Sequence, residues 1–218
     1  MKSRKWTKAA LGLSACLFVL WWALGTGATL AWFSDTDVAR NEFDFGLLQL
    51  DVDYRNDGMT DYDDLEGSTA AFNDKALYEP GYTQVVYLRM DNVGDVDFDY
   101  KVAVTVNHSN PAYNVWGEEF YLPNHLRYGV VFGKTEADVQ AQVADRLTAR
   151  EQADQDWNML DTWSEDSPYT FEVQDDYHYA ALIVYMPEAV DNVANYRGGD
   201  KPYVELGVTV SAWQITDP

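Results

Sequence analysis

Two stretches with strict period-two alternation constrain this chain more than any other feature. In "FDYKVAVTV" the residues Phe98, Tyr100, Val102, Val104 and Val106 share one side, and Asp99, Lys101, Ala103 and Thr105 share the other. In "YVELGVTVSAW" Val204, Leu206, Val208, Val210 and Ala212 oppose Glu205, Gly207, Thr209 and Ser211. Side chains alternate across a strand, so each stretch predicts a strand with one face that must be covered. Two sheets facing each other bury both sets. Phe43 to Tyr54, Thr83 to Asp91, Leu126 to Gly133, Tyr169 to Val173 and Tyr177 to Met186 are further strand candidates. "YEPGY", Tyr78 to Tyr82, and "NVGD", Asn92 to Asp95, carry the chemistry of turns between them.

One segment breaks the pattern. "KTEADVQAQVADRLTAREQA" offers Thr135 as a cap and spaces Val139, Val143 and Leu147 four apart, which predicts one helix over Thr135 to Ala153 laid against the sandwich. Runs of antiparallel strands with a single helical excursion point to an all-β sandwich rather than a parallel α/β sheet. The 218 residues, 47% apolar, suffice for one well-packed domain.

The N-terminus belongs to a different regime. "MKSRKWTK" is basic, and no charge occurs from Ala9 to Phe33. Such a segment reads as an export signal helix, with Thr29 and Ala31 as the small residues at −3 and −1 of a cut before Trp32. The expected organisation is a signal peptide over 1–31 and one β-sandwich domain over 32–218. An uncleaved membrane anchor is the alternative, since about 20 apolar residues span a bilayer. The single cysteine, Cys16, sits inside this run, so the exported part has no thiol and no disulfide. "LSAC" resembles the box before a lipid-modified cysteine, but the apolar run continues past it.

Formal net charge is −21, and the first 31 residues hold Lys2, Arg4, Lys5 and Lys8 without any acid, so the exported part is more acidic still. Nucleic acid and anionic lipid would be repelled by such a surface. No nucleic-acid partner is expected, and membrane contact is expected only through the signal segment.

Candidate chemistry is sparse. His108, His125 and His178 are the only histidines and form no zinc motif; neither a Gly-x-Ser-x-Gly elbow nor an exported thiol offers a nucleophile. No catalytic residue and no cofactor is expected. Calcium remains possible: "DVDYRNDGMTDYDDLEG" crowds carboxylates, with Asp57, Asp61 and Asp63 the weak candidates, although Arg55 interrupts the ligand spacing. Asp95, Asp97 and Asp99 alternate as the solvent face of a strand would. Trp116, Trp157 and Trp163 fit loop packing or, alternatively, a sugar platform. "NHS", Asn107 to Ser109, has the form of a glycosylation acceptor.

Three separated segments resemble one family. "TLAWFSDTDVARNEFDFGLLQLDV" (Thr29–Val52), "LYEPGYTQVVYLRMDNVGDVDFDYKVAV" (Leu77–Val104) and "DKPYVELGVTVSAWQ" (Asp200–Gln214) are similar, in order and spacing, to the TasA and camelysin group of exported proteins from Gram-positive bacteria. The region from about Asn107 to Asp176 does not align, and the chain departs from the family in its Trp32 and in its shorter middle, "DQDWNMLDTWSED". The resemblance implies a jelly-roll sandwich, cleavage by a SipW-type signal peptidase between Ala31 and Trp32, and a secreted, matrix or cell-surface location. It further implies self-association into biofilm-matrix fibres, in which Trp32, Phe33, Ser34, Asp35, Thr36 and Asp37 are donated as a strand to a neighbour. The family also contains proteins described as secreted metalloendopeptidases, which is the alternative function. A monomeric calcium- or sugar-binding surface module is the third.

Overall fold

The computed structural model describes residues 47–66, 71–72, 78–195 and 201–215, all within the unit Ser34–Pro218. The signal segment, the cleavage residues Thr29, Ala31 and Trp32, and the strand expected over Trp32 to Asp37 lie outside the described residues.

The described chain is an antiparallel all-β sandwich. One sheet contains β1 (Leu50–Asn56), β2 (Asp63–Asp64), β3 (Thr83–Asn92), β7 (Arg127–Gly133), β8 (Asn158–Met159) and β9 (His178–Tyr185), in the order β2-β1-β3-β9-β7-β8. The second sheet pairs β4 (Phe98–Asn110) with β10 (Tyr203–Gln214), and a small hairpin joins β5 (Ala112–Tyr113) to β6 (Glu119–Phe120). Both alternating stretches thus pair with each other, Val104 opposite Val208 and Val102 opposite Val210. Their apolar faces meet Leu88, Met90, Tyr128, Leu182 and Val184 of the first sheet in the main core. The Glu-Pro-Gly-Tyr turn before β3 closes as expected, Tyr82 N–H donating to the Glu79 carbonyl at 2.8 Å with Gly81 at φ +85°.

The expected single helix is two. α1 (Glu136–Gln142) is capped by Thr135, and α2 (Arg146–Ala153) by Asp145, whose carboxylate accepts Thr148 N–H at 2.9 Å. Val143, at φ −124° and ψ 40°, leaves the helical region, and the new cap restarts the winding in a different phase. Val139 and Val143 are buried as the spacing predicts; Leu147 is exposed, and Ala149 and Ala153 replace it. The helices cover the outer face of the first sheet through Val85, Val131, Ala181 and Ile183. Gly129 permits the close approach, since a Cβ there would stand 2.5 Å from the Ala153 Cα.

Beside the helices the same face carries an aromatic and arginine stack. The Arg55 guanidinium lies 5.1 Å from both the Tyr62 and Tyr87 rings, and Arg89 lies 4.9 Å from Tyr62 and 5.1 Å from Tyr177. Glu136 pairs with Arg55 at 2.6 Å and accepts the Tyr62 hydroxyl at 3.2 Å. Burial, with Glu136 adding to it, pushes the Tyr62 phenol up to about 12. Tyr62 thereby pins the β1–β2 connection to the sheet.

Candidate functional site: the two margins of the second sheet

The two-stranded sheet has two margins, and the chain treats them differently. Along β4 a strap, residues 161–176, supplies partners in place of a third strand. Asp161, Ser164 and Ser167 N–H donate to the carbonyls of Val104, Val102 and Tyr100 at 2.9, 2.9 and 2.8 Å. The Asp161 carboxylate and the Ser164 hydroxyl accept the N–H groups of Val106 and Val102 at 2.7 and 3.2 Å, standing in for strand carbonyls. Phe98 and Phe171 close the strap with a bridge of two main-chain bonds, at 3.1 and 2.9 Å. The stretch Tyr169 to Val173, expected as a strand, is therefore a strap with a single bridge. An unpaired strand margin left bare is a template for other chains, and side-chain acceptors are one way to close it.

From Val204 to Gln214 the strand in register with β10 among the described residues is β4 alone. The packing beneath follows suit. Phe98, Tyr100, Val102 and Val104 of β4 are fully buried, whereas Val204, Val208, Val210 and Ala212 of β10 are only half-buried. The strap side lies over β7, because Tyr100 packs on Phe132 at 5.7 Å and Tyr128 reaches the strap. β10 lies on the opposite margin, and at β1 Leu48, Leu50 and Val52 are also half-buried against the main core. The chain preceding β1 is fixed to the turn between β3 and β4: Val93 and Asp95 N–H donate to the Gln49 and Leu47 carbonyls at 3.1 and 2.9 Å, and Leu47 N–H donates to the Asp95 carboxylate. Chemically the β10 margin can pair an extended backbone and take apolar side chains against half-buried residues.

The strap's far end is held by a buried polar cluster. His178 on β9 is 1% exposed; Tyr100 Oη lies 3.1 Å from its Nδ1 and Asp175 Oδ2 lies 3.1 Å from its Nε2. A neutral ring with its proton on Nε2 donates to Asp175 and accepts from Tyr100, satisfying both nitrogens. Phe171 stacks on the imidazole at 4.1 Å, and Lys134 Nζ reaches Asp175 at 3.3 Å. Burial lowers the His178 pKa, opposed by Asp175. Burial raises that of Asp175, but the Glu172 N–H, His178 and Lys134 outweigh it and the net shift is downward.

The remaining sequence candidates are scattered. Asp57 pairs with Arg146 at 3.1 Å, and Asp63 accepts Asp64 N–H at 3.0 Å in β2. Among the described residues no three His, Cys, Asp or Glu side chains gather where a metal ion could be held, so Asp57, Asp61 and Asp63 are not brought together as a site. His108 is exposed near Glu205, His125 stacks on Phe120, and His178 is in the cluster above. Trp157 carries Arg127 on its ring at 3.8 Å, and Trp163 shares Lys101 with Trp213 at 5.4 and 5.2 Å. Trp116 is exposed at the tip of the β5–β6 hairpin. Asp97 and Asp99, expected on a solvent face, hold the strap: they accept Val173 N–H at 2.8 Å and the Thr170 hydroxyl at 2.9 Å. The short acceptors of "DTWSEDS" hold it too, but nothing in that stretch names the distant strand they serve. Among the described residues no helix is long and apolar enough to cross a membrane. No model of a known protein family matches this chain, and no curated protein matches it either.

Proposed function

We propose that this chain is an exported structural protein of the cell surface or extracellular matrix, a fibre subunit that assembles by strand addition at β10. The observation that carries the reading is the β10 margin, which among the described residues pairs with β4 alone, together with the half-buried Val208, Val210, Leu50 and Val52 around the core. An incoming extended segment would complete the sheet with main-chain hydrogen bonds and the core with its alternate side chains. The three segments that resemble the TasA and camelysin group support the same reading, and make the segment from Trp32 to Asp37, freed by cleavage after Ala31, the donor.

Electron microscopy of purified residues 32–218 tests it. Filaments are expected, and deletion of Trp32 to Asp37 should leave soluble monomers. Filaments that survive the deletion would rule out this donor.

A further inference from the structure

We infer that the His178–Asp175–Lys134 cluster is a pH-sensitive latch that holds the strap on β4 at neutral pH and, on protonation of His178, frees that second margin of the sheet. This stands on the fold alone and not on the fibre reading.

The geometry supplies each part. The strap is attached to β4 by main-chain bonds at Val104, Val102, Tyr100 and Phe98, and its end, which runs on into β9, packs against the first sheet around His178. The groups facing the imidazole are few. β4 presents Tyr100, the turn after β7 presents Lys134, and the strap presents Tyr169, Phe171, Glu172 and Asp175, while β3 places Met90 opposite it. Glu172 and Asp175 favour a cation there and Lys134 opposes it.

The neutral ring fits this site in one tautomer only. A proton taken up from solvent must go to Nδ1, which then points a donor at the Tyr100 hydroxyl and obliges that hydroxyl to turn its own proton elsewhere. The resulting imidazolium is closed in by Phe171, Tyr169 and Tyr100, and its one bonded carboxylate, Asp175, is already shared with the Lys134 ammonium. A buried cation with half a counter-ion is costly. Opening the strap returns His178 and Asp175 to water, where the imidazolium is at ease. Acid therefore favours the open strap, by a factor of about ten for each pKa unit separating the closed from the open state.

Phe171 and Asp175 make the coupling direct, because both belong to the strap and both touch the ring. Release would uncover the carbonyls of Tyr100, Val102 and Val104 and the N–H groups of Val102 and Val106. At low pH the β4 margin would then be open to pairing.

Hydrogen exchange read by mass spectrometry on the full chain, in mild detergent where the N-terminal segment is retained, tests the latch between pH 7.5 and 5. After correction for intrinsic rates, protection over 161–176 should fall at least about tenfold on acidification while β3 and β9 stay protected. His178→Gln, whose amide donates to Asp175 and accepts from Tyr100 without titrating, should keep the strap protected throughout that range. Lys134→Met relieves the competition for Asp175 and should move the wild-type transition to lower pH; this second variant leaves the core untouched. Strap protection unchanged from pH 7.5 to 5, an equal loss in β3 and β9, or an unaltered transition in both variants would each overturn the proposal.

Discussion

Tyr128 Oη donates to the Thr162 carbonyl at 2.6 Å, and so β7 of the first sheet grips the strap of the second across the core. The same hydroxyl lies 3.3 Å from the Val102 carbonyl on β4. Removing it in Tyr128→Phe takes the donor from the Thr162 carbonyl and the second donor from the Val102 carbonyl, which keeps Ser164 N–H, at a cost of about 1–2 kcal/mol. Urea denaturation should show that loss, and exchange at Ser164 and Ser167 should quicken more than exchange in β9.

Gly129→Ala should destabilise by about 1–3 kcal/mol, the usual range for overpacking. Its new methyl meets Ala153 at the Cα, 2.5 Å away, and at the Cβ, 2.7 Å away, so α2 itself must move off β7. The double variant Gly129→Ala, Ala153→Gly should recover part of the loss in a denaturant titration; no recovery would show that the contact is not the cause.

Arg55→Lys keeps the charge next to Glu136 but gives up the flat group between Tyr62 and Tyr87. A fall in stability of about 0.5–2 kcal/mol is expected. Proteolysis should then cut first in the β1–β2 connection, which Tyr62 pins.

Val208→Lys with Val210→Lys places two charges on the half-buried inward face of β10. Under the proposed function, filaments of residues 32–218 should disappear while circular dichroism still reports a folded sandwich, as expected for a charged sheet margin. Thr209→Lys, on the opposite face, should leave filaments intact.

His125 and His178 both have pKa values lowered by burial, so the unfolded chain binds more protons than the folded one below the ordinary imidazole value. Their contribution to stability is whole above about pH 6.5 and is lost as pH falls through the folded values. Asp175, also lowered, keeps its contribution above about pH 4 and loses it only below that. Denaturation midpoints should therefore hold from pH 8 to 7 and decline from 6.5 to 5, with a smaller decline in His178→Gln.

Much of the sandwich was legible because alternation is local. The apolar positions of β3, β4, β7, β9 and β10 can be read from neighbours two residues apart, and their observed limits lie within a few residues of the expected ones, β4 running on to Asn110. The site was not, because it is made of long-range choices. Nothing near Leu206 says that β10 will be marginal, and nothing near Ser164 says that its hydroxyl will serve Val102, 62 residues away. The helix was misread for a simpler reason: Asp145 offered a cap in mid-run, and a restart of winding erased the spacing that made Leu147 look buried. Nothing around His178 in the sequence marks it out; its weight comes from Phe171 and Asp175, which arrive from the strap.

The unlike treatment of β4 and β10 gives the second sheet a valence. At neutral pH the strap occupies the β4 flank, so a backbone added under the proposed assembly has, among the described residues, the β10 flank alone to take, and growth by that route would run as a line and not branch.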